Sequence, residues 1–598
     1  MGISLIKNRK NKDVISGMFL SAAIAMIITQ VVGVVANLID GIVTSNFYGT
    51  DAYSAISLFA PIINTIVMVA GFISTGCQIV CSQKLGKGEN EEANKVFALA
   101  VRMGIVISLA FVVFSLLFPD FIFSICGITV SKYPEIYPYM KDYLNGYVWG
   151  IPAVIFVQIL SPIVVLDNDK KLVTFSAVVL CVADIIGDVI SATVFNAGNF
   201  GMGIATTIAF YMELAMLLYH FAKKNANFRL FTRKCNFSDN WAIFKTGSPT
   251  LIRKLATVLR DLFINRLNLV VALSTVAVAA RSIQNDLNTF MFTIGLGIGR
   301  VLVTMTSMYY SAEDKEAIRR LFTYSMKVAV GISSCVGILI FCFAKPIVYI
   351  FSSDPEIMDF AVFSIRCMAV SLVFDTVAVS LQNYLQGIQN LKMVNFMNFA
   401  ERFFIPIATA GVMGFLWGSK GILASIAVGK VVLVLMIIAV ICIRNKRFPK
   451  CVEDFMFLPD GFGGHSEDNF YYKIFSREDV VDSMAKVQEY GRARNISADK
   501  INKIVLFIEE LGLNAIKYGK PNGRTGLCVE LRVYISDKSE NITITLRDYC
   551  AAFDPTKYHE QYKNDADEKH LGIMMVMHSA KDIRYTNAFN SNNVLITI

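Results

Sequence analysis

GFISTGCQIVCSQKLGKGENEEANKVF, residues 71–97, returns in altered form as GLGIGRVLVTMTSMYYSAEDKEAIRRL at 295–321. At an offset of 224, Gly71 meets Gly295, Glu92 meets Glu316, Ala93 meets Ala317 and Lys95 meets Arg319. Each copy closes a long apolar run, crosses a short charged loop and opens another apolar run. In a hydrophobic chain this predicts two similar halves of several membrane spans each.

The composition agrees. Of 598 residues 55% are hydrophobic and 17% charged, with a mean hydropathy of +0.52, which excludes an ordinary soluble protein. The average hides a boundary. Up to residue 450 there are 38 Lys+Arg and 25 Asp+Glu; beyond it there are 18 and 22, and the net charge changes from +13 to −4. A membrane part is therefore followed by a soluble domain. The twelve cysteines form no CxxC pair; Cys77 and Cys81, one helical turn apart, read as small core residues. The KNRKNKD start runs into an apolar stretch with no small-residue cleavage site, so a retained first span is expected, and Ile6 breaks a myristoylation pattern.

A bilayer core of about 30 Å needs about 20 apolar residues per helix. Runs of that length lie near 16–39, 55–81, 94–118, 143–166, 172–195 and 201–222, then near 247–271, 273–306, 322–344, 359–387, 393–416 and 419–443. The expected fold is a polytopic all-α membrane protein of twelve transmembrane helices in two six-helix bundles, followed by an α+β domain. The divisions are 1–240 (spans one to six), 241–450 (spans seven to twelve), a linker at 451–468 and a domain at 469–598. Basic loops after even-numbered spans, among them Lys84, Lys87, Lys170, Lys171, Arg319 and Arg320, put both termini and the soluble domain in the cytoplasm of a plasma-membrane protein.

Ionisable residues inside such spans are costly unless they face a cavity or a partner. Asn37 and Asp40 share a face of span one; Asp184 and Asp188 share a face of span five. Their similar depth permits one carboxylate-lined pocket for a proton, a sodium ion or a cationic substrate. The competing reading leaves Asp40 and Asp188 at water-exposed helix ends. In the second half, Arg253, Lys254, Arg260, Asp261 and Arg266 crowd span seven; Arg281, Asp286 and Arg300 accompany span eight; Asp375 and Glu401–Arg402 follow. These fit structural ion pairs or substrate contacts, and the excess of cations sits badly with a purely cationic cargo.

Residues 14–443 resemble the multidrug and toxic compound extrusion (MATE) transporters through NLIDGIVTSNFYGTDAYSA, SQKLGKGENEEANKVF, LDNDKKLVTFSAVVLCVADIIGD, LQGIQNLK and ERFFIPI. The resemblance implies alternating access and export of a small amphiphilic organic substrate coupled to inward Na⁺ or H⁺. It also implies Asp40 and Asp188 as the ion site. LDND, where members often carry Arg and Gly, and the basic second half depart from the pattern.

In the tail, FYYKIFS, Cys528–Ile535, Ile542–Asp548 and Val594–Ile598 alternate as strands. Val480–Arg494 and Ala498–Tyr518 read as helices, the second capped by Ser497. Glu510 and Asn514 lie four apart on one helix face, Asp548 ends a strand in LRDYCAAFDP, and Gly572 sits in LGIMMV. A carboxylate, an amide oxygen for Mg²⁺, an adenine acceptor and a phosphate-facing helix start would occupy those positions. Their order resembles the ATP-binding sandwich of histidine kinases and gyrase, and most closely anti-sigma-factor serine kinases. That implies Glu510 as base, Asn514 on Mg²⁺, Asp548 on adenine and Gly572 near the phosphates. The family's DxGxG is here Asp548-Tyr-Cys550-Ala-Ala552, which crowds the nucleotide, so weak ATPase or kinase turnover is expected.

Three functions follow from these readings. One is an ion-coupled exporter with a regulatory ATP-binding domain. The others are a membrane-anchored serine kinase with a transporter-like sensor and a cytoplasmic protein partner, and a lipid-linked precursor flippase. No Walker-type loop supports direct ATP-driven pumping, and no nucleic-acid partner is expected.

Overall fold

The computed structural model describes residues 14–598 except 126–127, 131–132, 224–225, 233–237, 268–274, 352–353, 465, 521–526, 536–540 and 563–570. Among the described residues, eleven helices are long and apolar enough to cross a membrane. In the first half these are α1 (Val14–Gly49), α2 (Asp51–Gly86), α3 (Asn90–Leu117), α4 (Ile136–Leu166), α5 (Lys170–Phe195) and α6 (Gly198–Ala222). The second half opens with α7 (Ser238–Leu267), a continuous helix whose apolar run is broken by Arg253, Lys254 and Arg260. It continues with α8 (Thr275–Ser311), apolar from Leu287, then α9 (Lys315–Cys342), α10 (Pro355–Gly387), α11 (Leu391–Gly418) and α12 (Lys420–Asn445). The fold is thus the expected pair of helical bundles, with α7 carried by length rather than hydropathy.

Four turns joining consecutive spans have one geometry. Gly88, Asn168, Glu313 and Gln389 each take a left-handed φ, of 74°, 73°, 52° and 60°. The next residue's N–H reaches five residues back: Glu89 to Lys84 O at 2.9 Å, Asp169 to Val164 O at 3.0 Å, Asp314 to Tyr309 O at 3.0 Å, Asn390 to Leu385 O at 2.9 Å. This is the Schellman stop, which satisfies the last carbonyls of a helix before the next begins. Gly88 and Glu313 are 225 apart, so the residue identities that align at 224 stand one position out of structural register. The left-handed residue, not the acidic run after it, sets the equivalence.

The halves close together at this end of the molecule. A Cβ on Gly86 would meet Met308 O at 2.1 Å, so only glycine lets the ends of α2 and α8 come this near. One apolar core runs through both halves at this end and takes in Cys528, Tyr549, Ala588 and Phe589 of the soluble domain.

That domain is a five-stranded antiparallel sheet, order β1-β2-β3-β5-β4, with helices on one face. Its strands are β1 (Asn469–Ile474), β2 (Val529–Ile535), β3 (Ile542–Asp548), β4 (Asp582–Ala588) and β5 (Ser591–Thr597). Its helices are α13 (Arg477–Ala493), α14 (Ala498–Tyr518), α15 (Pro555–Tyr562) and α16 (Leu571–Ser579). Ser497 caps α14 as expected, accepting from Lys500 N at 3.4 Å. Ile542, Ile544 and Leu546 of β3 face the helices and fill a separate core with Phe507, Ile508 and Val594. β4 was not expected: it is a polar edge strand joined to β5 through Phe589 and Asn590, both at positive φ.

Candidate functional site

Asp40 on α1 and Asp184 and Asp188 on α5 converge. One carboxylate oxygen from each lies within 4.8 Å of the other two. Asp184 and Asp188 are buried, at 3% and 0% exposure, so Asp188 does not sit at a watery helix end. Oδ1 of all three and Oδ2 of Asp188 are enclosed without a hydrogen-bond partner. Three acceptors so close and lacking donors suit a bound cation or shared protons, because the unneutralised trio would repel itself in a medium of low dielectric. Asn37 belongs to α1, but its side chain lies outside the described residues.

A second site lies in the soluble domain. Asn514 and Asp548 line one cavity of about 480 Å³ with Leu511, Val529, Leu546, Ile573 and Val594. Asp548 Oδ1 accepts from Cys550 N at 2.9 Å and Asn592 Nδ2 at 2.8 Å. Burial raises its pKa, and the donors from Asn592 and Cys550 oppose that shift. An apolar slot ending in a held carboxylate fits an adenine ring and its amino group. The same cavity does not include the other two expected residues. Glu510 packs on Gly572, where an added Cβ would meet Glu510 Oε2 at 1.9 Å. Burial and the charge of Glu509 push the Glu510 pKa up, the direction that suits a base. Of the four expected residues, Asn514 and Asp548 therefore share one cavity, while Glu510 and Gly572 stand together outside it.

Ala552, one of the two departures from DxGxG, has a structural use together with its neighbour Ala551. Ala551 and Ala552 line the nucleotide-sized cavity and also a larger one, of about 580 Å³, on its far side. That larger cavity is bounded by Asp167, Asp169, His220 and Lys223 of the first half and by Asp554, Lys557 and Tyr585 of the domain. His220 bridges Asp167 at 2.8 Å and Asp169 at 3.1 Å. One loop thus forms the wall between a nucleotide-sized cavity and the transporter-like part.

The second face of the sheet would normally meet water. Here it lies on the Schellman turns of both halves. Toward the second half, Arg532 donates to Ala312 O at 3.1 Å and Glu313 O at 2.8 Å, Arg547 Nη2 reaches Asp314 Oδ2 at 3.1 Å, and Tyr471 donates to Asp314 Oδ1 at 3.1 Å. Arg320 reaches Glu530 at 2.7 Å. Toward the first half, Arg584 donates to Lys87 O at 3.0 Å, Asn90 donates to Tyr585 O at 2.7 Å, and Asn168 donates to Asn587 and accepts from Asn590 N. The fourth turn lies beneath the connecting segment, where Tyr384 donates to Met456 O at 3.0 Å. Burial works against the Asp314 carboxylate, yet Arg532 and Arg547 hold its pKa at about 2. None of these contacts was expected from sequence. Thr543, Thr545 and Arg547 alternate with the apolar residues of β3 and form the strand's polar face.

Comparison with known proteins places both parts. The MatE family profile matches residues 25–190 and 249–410, and the profile of the Histidine kinase-like ATPase domain matches residues 476–598. Multidrug export protein MepA of Staphylococcus haemolyticus is 22% identical over 425 residues, covering 70% of this chain and 92% of MepA. Multidrug resistance protein NorM of Aliivibrio fischeri is 22% identical over 299 residues, 47% of this chain and 62% of NorM. A probable NorM of Shewanella oneidensis is 25% identical over 272 residues, covering 43% of this chain and 58% of that one. The chain thus spans less than two thirds of either NorM relative. An outward-facing multidrug resistance MATE family transporter of the MOP superfamily shares the fold, with a TM-score of 0.66 at 19% identity over 71% of this chain and 94% of that one.

Proposed function

Since the chain belongs to the MatE family and ends in a histidine kinase-like ATPase domain, we propose that it is a secondary active exporter whose transport is gated by nucleotide in that domain. Cargo is a small amphiphilic organic molecule, a class supported by relatives named for multidrug export. Na⁺ or H⁺ entering at Asp40, Asp184 and Asp188 drives it out by alternating access. Both termini and the domain face the cytoplasm of a plasma-membrane protein, with working divisions at 1–240, 241–450, 451–468 and 469–598.

The observation that carries the gating is the sheet's hold on both halves at once, through Asn168 and Lys87 on one side and Glu313 and Asp314 on the other. Opening toward the cytoplasm must separate these turns, so every inward-facing excursion breaks or shears that grip. ATP, when bound, supplies a polyanion that Asn514, through Mg²⁺, and Asp548, through adenine, would orient. Its presence against Ala551 and Ala552 strains or relaxes the wall shared with the transporter. Phosphoryl transfer is secondary in this reading, because Glu510 is packed on Gly572 rather than aimed into the cavity.

Ion-driven uptake of ethidium into proteoliposomes, with ATP or a non-hydrolysable analogue on the domain side, tests the proposal. Ion-dependent uptake that both nucleotides change alike is expected. Nucleotide-independent uptake removes the regulatory role, and ion-independent uptake removes the antiporter.

A further inference from the structure

A second polar cavity, of about 50 Å³, lies inside the second half and includes Asn288, Asp375, Glu401, Arg402 and Lys430 in its lining. Asp375, Glu401 and Arg402 are 8%, 3% and 7% exposed. Lys430 takes both acids, bonding to Asp375 and to Glu401 Oε1 at 2.6 Å, and Gln382 donates to the other Glu401 oxygen. Those carboxylates are nearly spent. Arg402 Nη2 stands 3.4 Å from Glu401 and 4.0 Å from Asp375 without a hydrogen bond, and its Nε also has none. The guanidinium lies 4.4 Å over the Phe292 ring, which holds it flat against the cavity.

More cations stand behind it. Arg253 and Lys254 of α7 are close enough to Arg402 and to Arg300 of α8 for mutual repulsion. Among the described residues Arg300 donates to the amide oxygen of Gln158, at 3.4 Å, across the boundary between the halves. Among the described residues the cluster therefore carries more positive than negative charge; the side chains of Asp261 and Asp286 lie outside that description. Surplus cations in a membrane interior are retained only with a counter-charge or a task. A planar, buried guanidinium with two unused donors is the group best shaped for a carboxylate or phosphate.

We propose that this cavity binds an oxyanion group, a carboxylate or phosphate, with Arg402 as its anchor and Arg253, Lys254 and Arg300 as the field that draws it in. The ligand class is an organic anion with an apolar body, since Ile405, Pro406 and Ile426 share the wall with Arg260, Ser425 and Gly429. The cavity has room for several water-sized volumes of about 10–15 Å³ each, enough for a headgroup but not a whole drug. This rests on the exporter reading only in making the anion cargo. Binding is measured without any gradient, so the two ideas fail separately.

The test uses the full chain in phosphatidylcholine nanodiscs and follows anisotropy of fluorescein, a soluble carboxylate, against ethidium as the cationic control. Fluorescein should bind, and Arg402→Gln should weaken it by at least about tenfold, the loss expected when one partner of a buried charged contact goes. Arg402→Gln also removes a structural cation, so Asn288→Asp is the second variant. It places a carboxylate in the cavity lining, which should raise thermal stability while abolishing fluorescein binding. Competition by added phosphatidylglycerol assigns the natural anion to a lipid headgroup; its absence assigns it to a soluble organic acid. Fluorescein that fails to bind the unsubstituted protein, or binds either variant as tightly as it binds that protein, overturns the site.

Discussion

Arg547 of β3 and Asp314 of the turn between α8 and α9, 233 residues apart in sequence, form a buried ion pair at 3.1 Å. The same arginine lies 4.7 Å over the ring of Tyr309 and donates to Asn593 at 2.8 Å. One side chain thus ties the sheet to the second half. Arg547→Met leaves Asp314 buried against fewer donors, and loss of one partner from such a pair costs about 3–5 kcal/mol. Hydrogen exchange across 308–315 should rise in Arg547→Met while the core of α14 stays protected. Unchanged exchange at the turn would show that the pair does not hold the interface.

The acid behaviour of that interface has a definite sign. Asp314 is held at about 2 when docked, against an ordinary value of 3.8. A depressed carboxylate contributes its stabilisation above the ordinary value and loses it as pH falls through the docked one. Docking should therefore be flat from pH 7 to about 4 and weaken between about 4 and 2. A cysteine pair, Asn168→Cys with Asn587→Cys, reports this as a fall in disulfide yield on oxidation after acid treatment. A loss already complete at pH 6 would assign the dependence to other groups.

Asp40→Asn and Asp188→Asn should each keep the protein inserted but abolish ion-driven uptake, since each removes a charge from three converging carboxylates. Counterflow without an ion gradient should persist. Full ion-driven uptake in both variants would move the coupling site elsewhere.

Asn514→Ala should remove Mg²⁺-dependent ATP binding measured by calorimetry on the full chain, while Glu510→Gln should leave it within about threefold, because Glu510 lies outside the cavity. Cys550→Gly with Ala552→Gly should tighten binding if these side chains crowd the nucleotide. It should also loosen the wall, lessening the effect of ATP on transport.

Gln389 occupies a left-handed position at φ 60° that costs a side chain about 1 kcal/mol. Gln389→Gly should raise the midpoint of thermal unfolding. Glu313→Gly should do the same without loosening the domain, because Arg532 binds the carbonyl of residue 313 rather than its side chain.

How far the fold could be read depended on the signal each part carries. Spans buried in lipid are written in hydropathy, and among the described residues eleven helices satisfy that criterion; α7 is partly hidden by the cations that interrupt its apolar run. The carboxylates of α1 and α5 were legible because acids are rare there. The four Schellman turns were not, since their left-handed residues are Gly, Asn, Glu and Gln, and only the first two advertise the geometry. β4 escaped for a similar reason, its hairpin using Phe589-Asn590 instead of a glycine. The docking face escaped because Arg, Thr and Asn on a strand look alike whether they meet water or a loop. Single-chain patterning reports how polar a surface is, not what lies across it.

The connecting segment runs from Asn445 to Asn469 and is pinned by Asp454, which accepts from Lys450 N at 2.8 Å and Cys451 N at 3.2 Å and pairs with Arg447 at 2.8 Å. A domain on so short a strap meets its docking site at a local concentration of about millimolar or more. It needs little intrinsic affinity to stay seated, and its polar contacts can let go and re-form in place within each turnover. A separate copy supplied from solution would have to reach a similar concentration to compete.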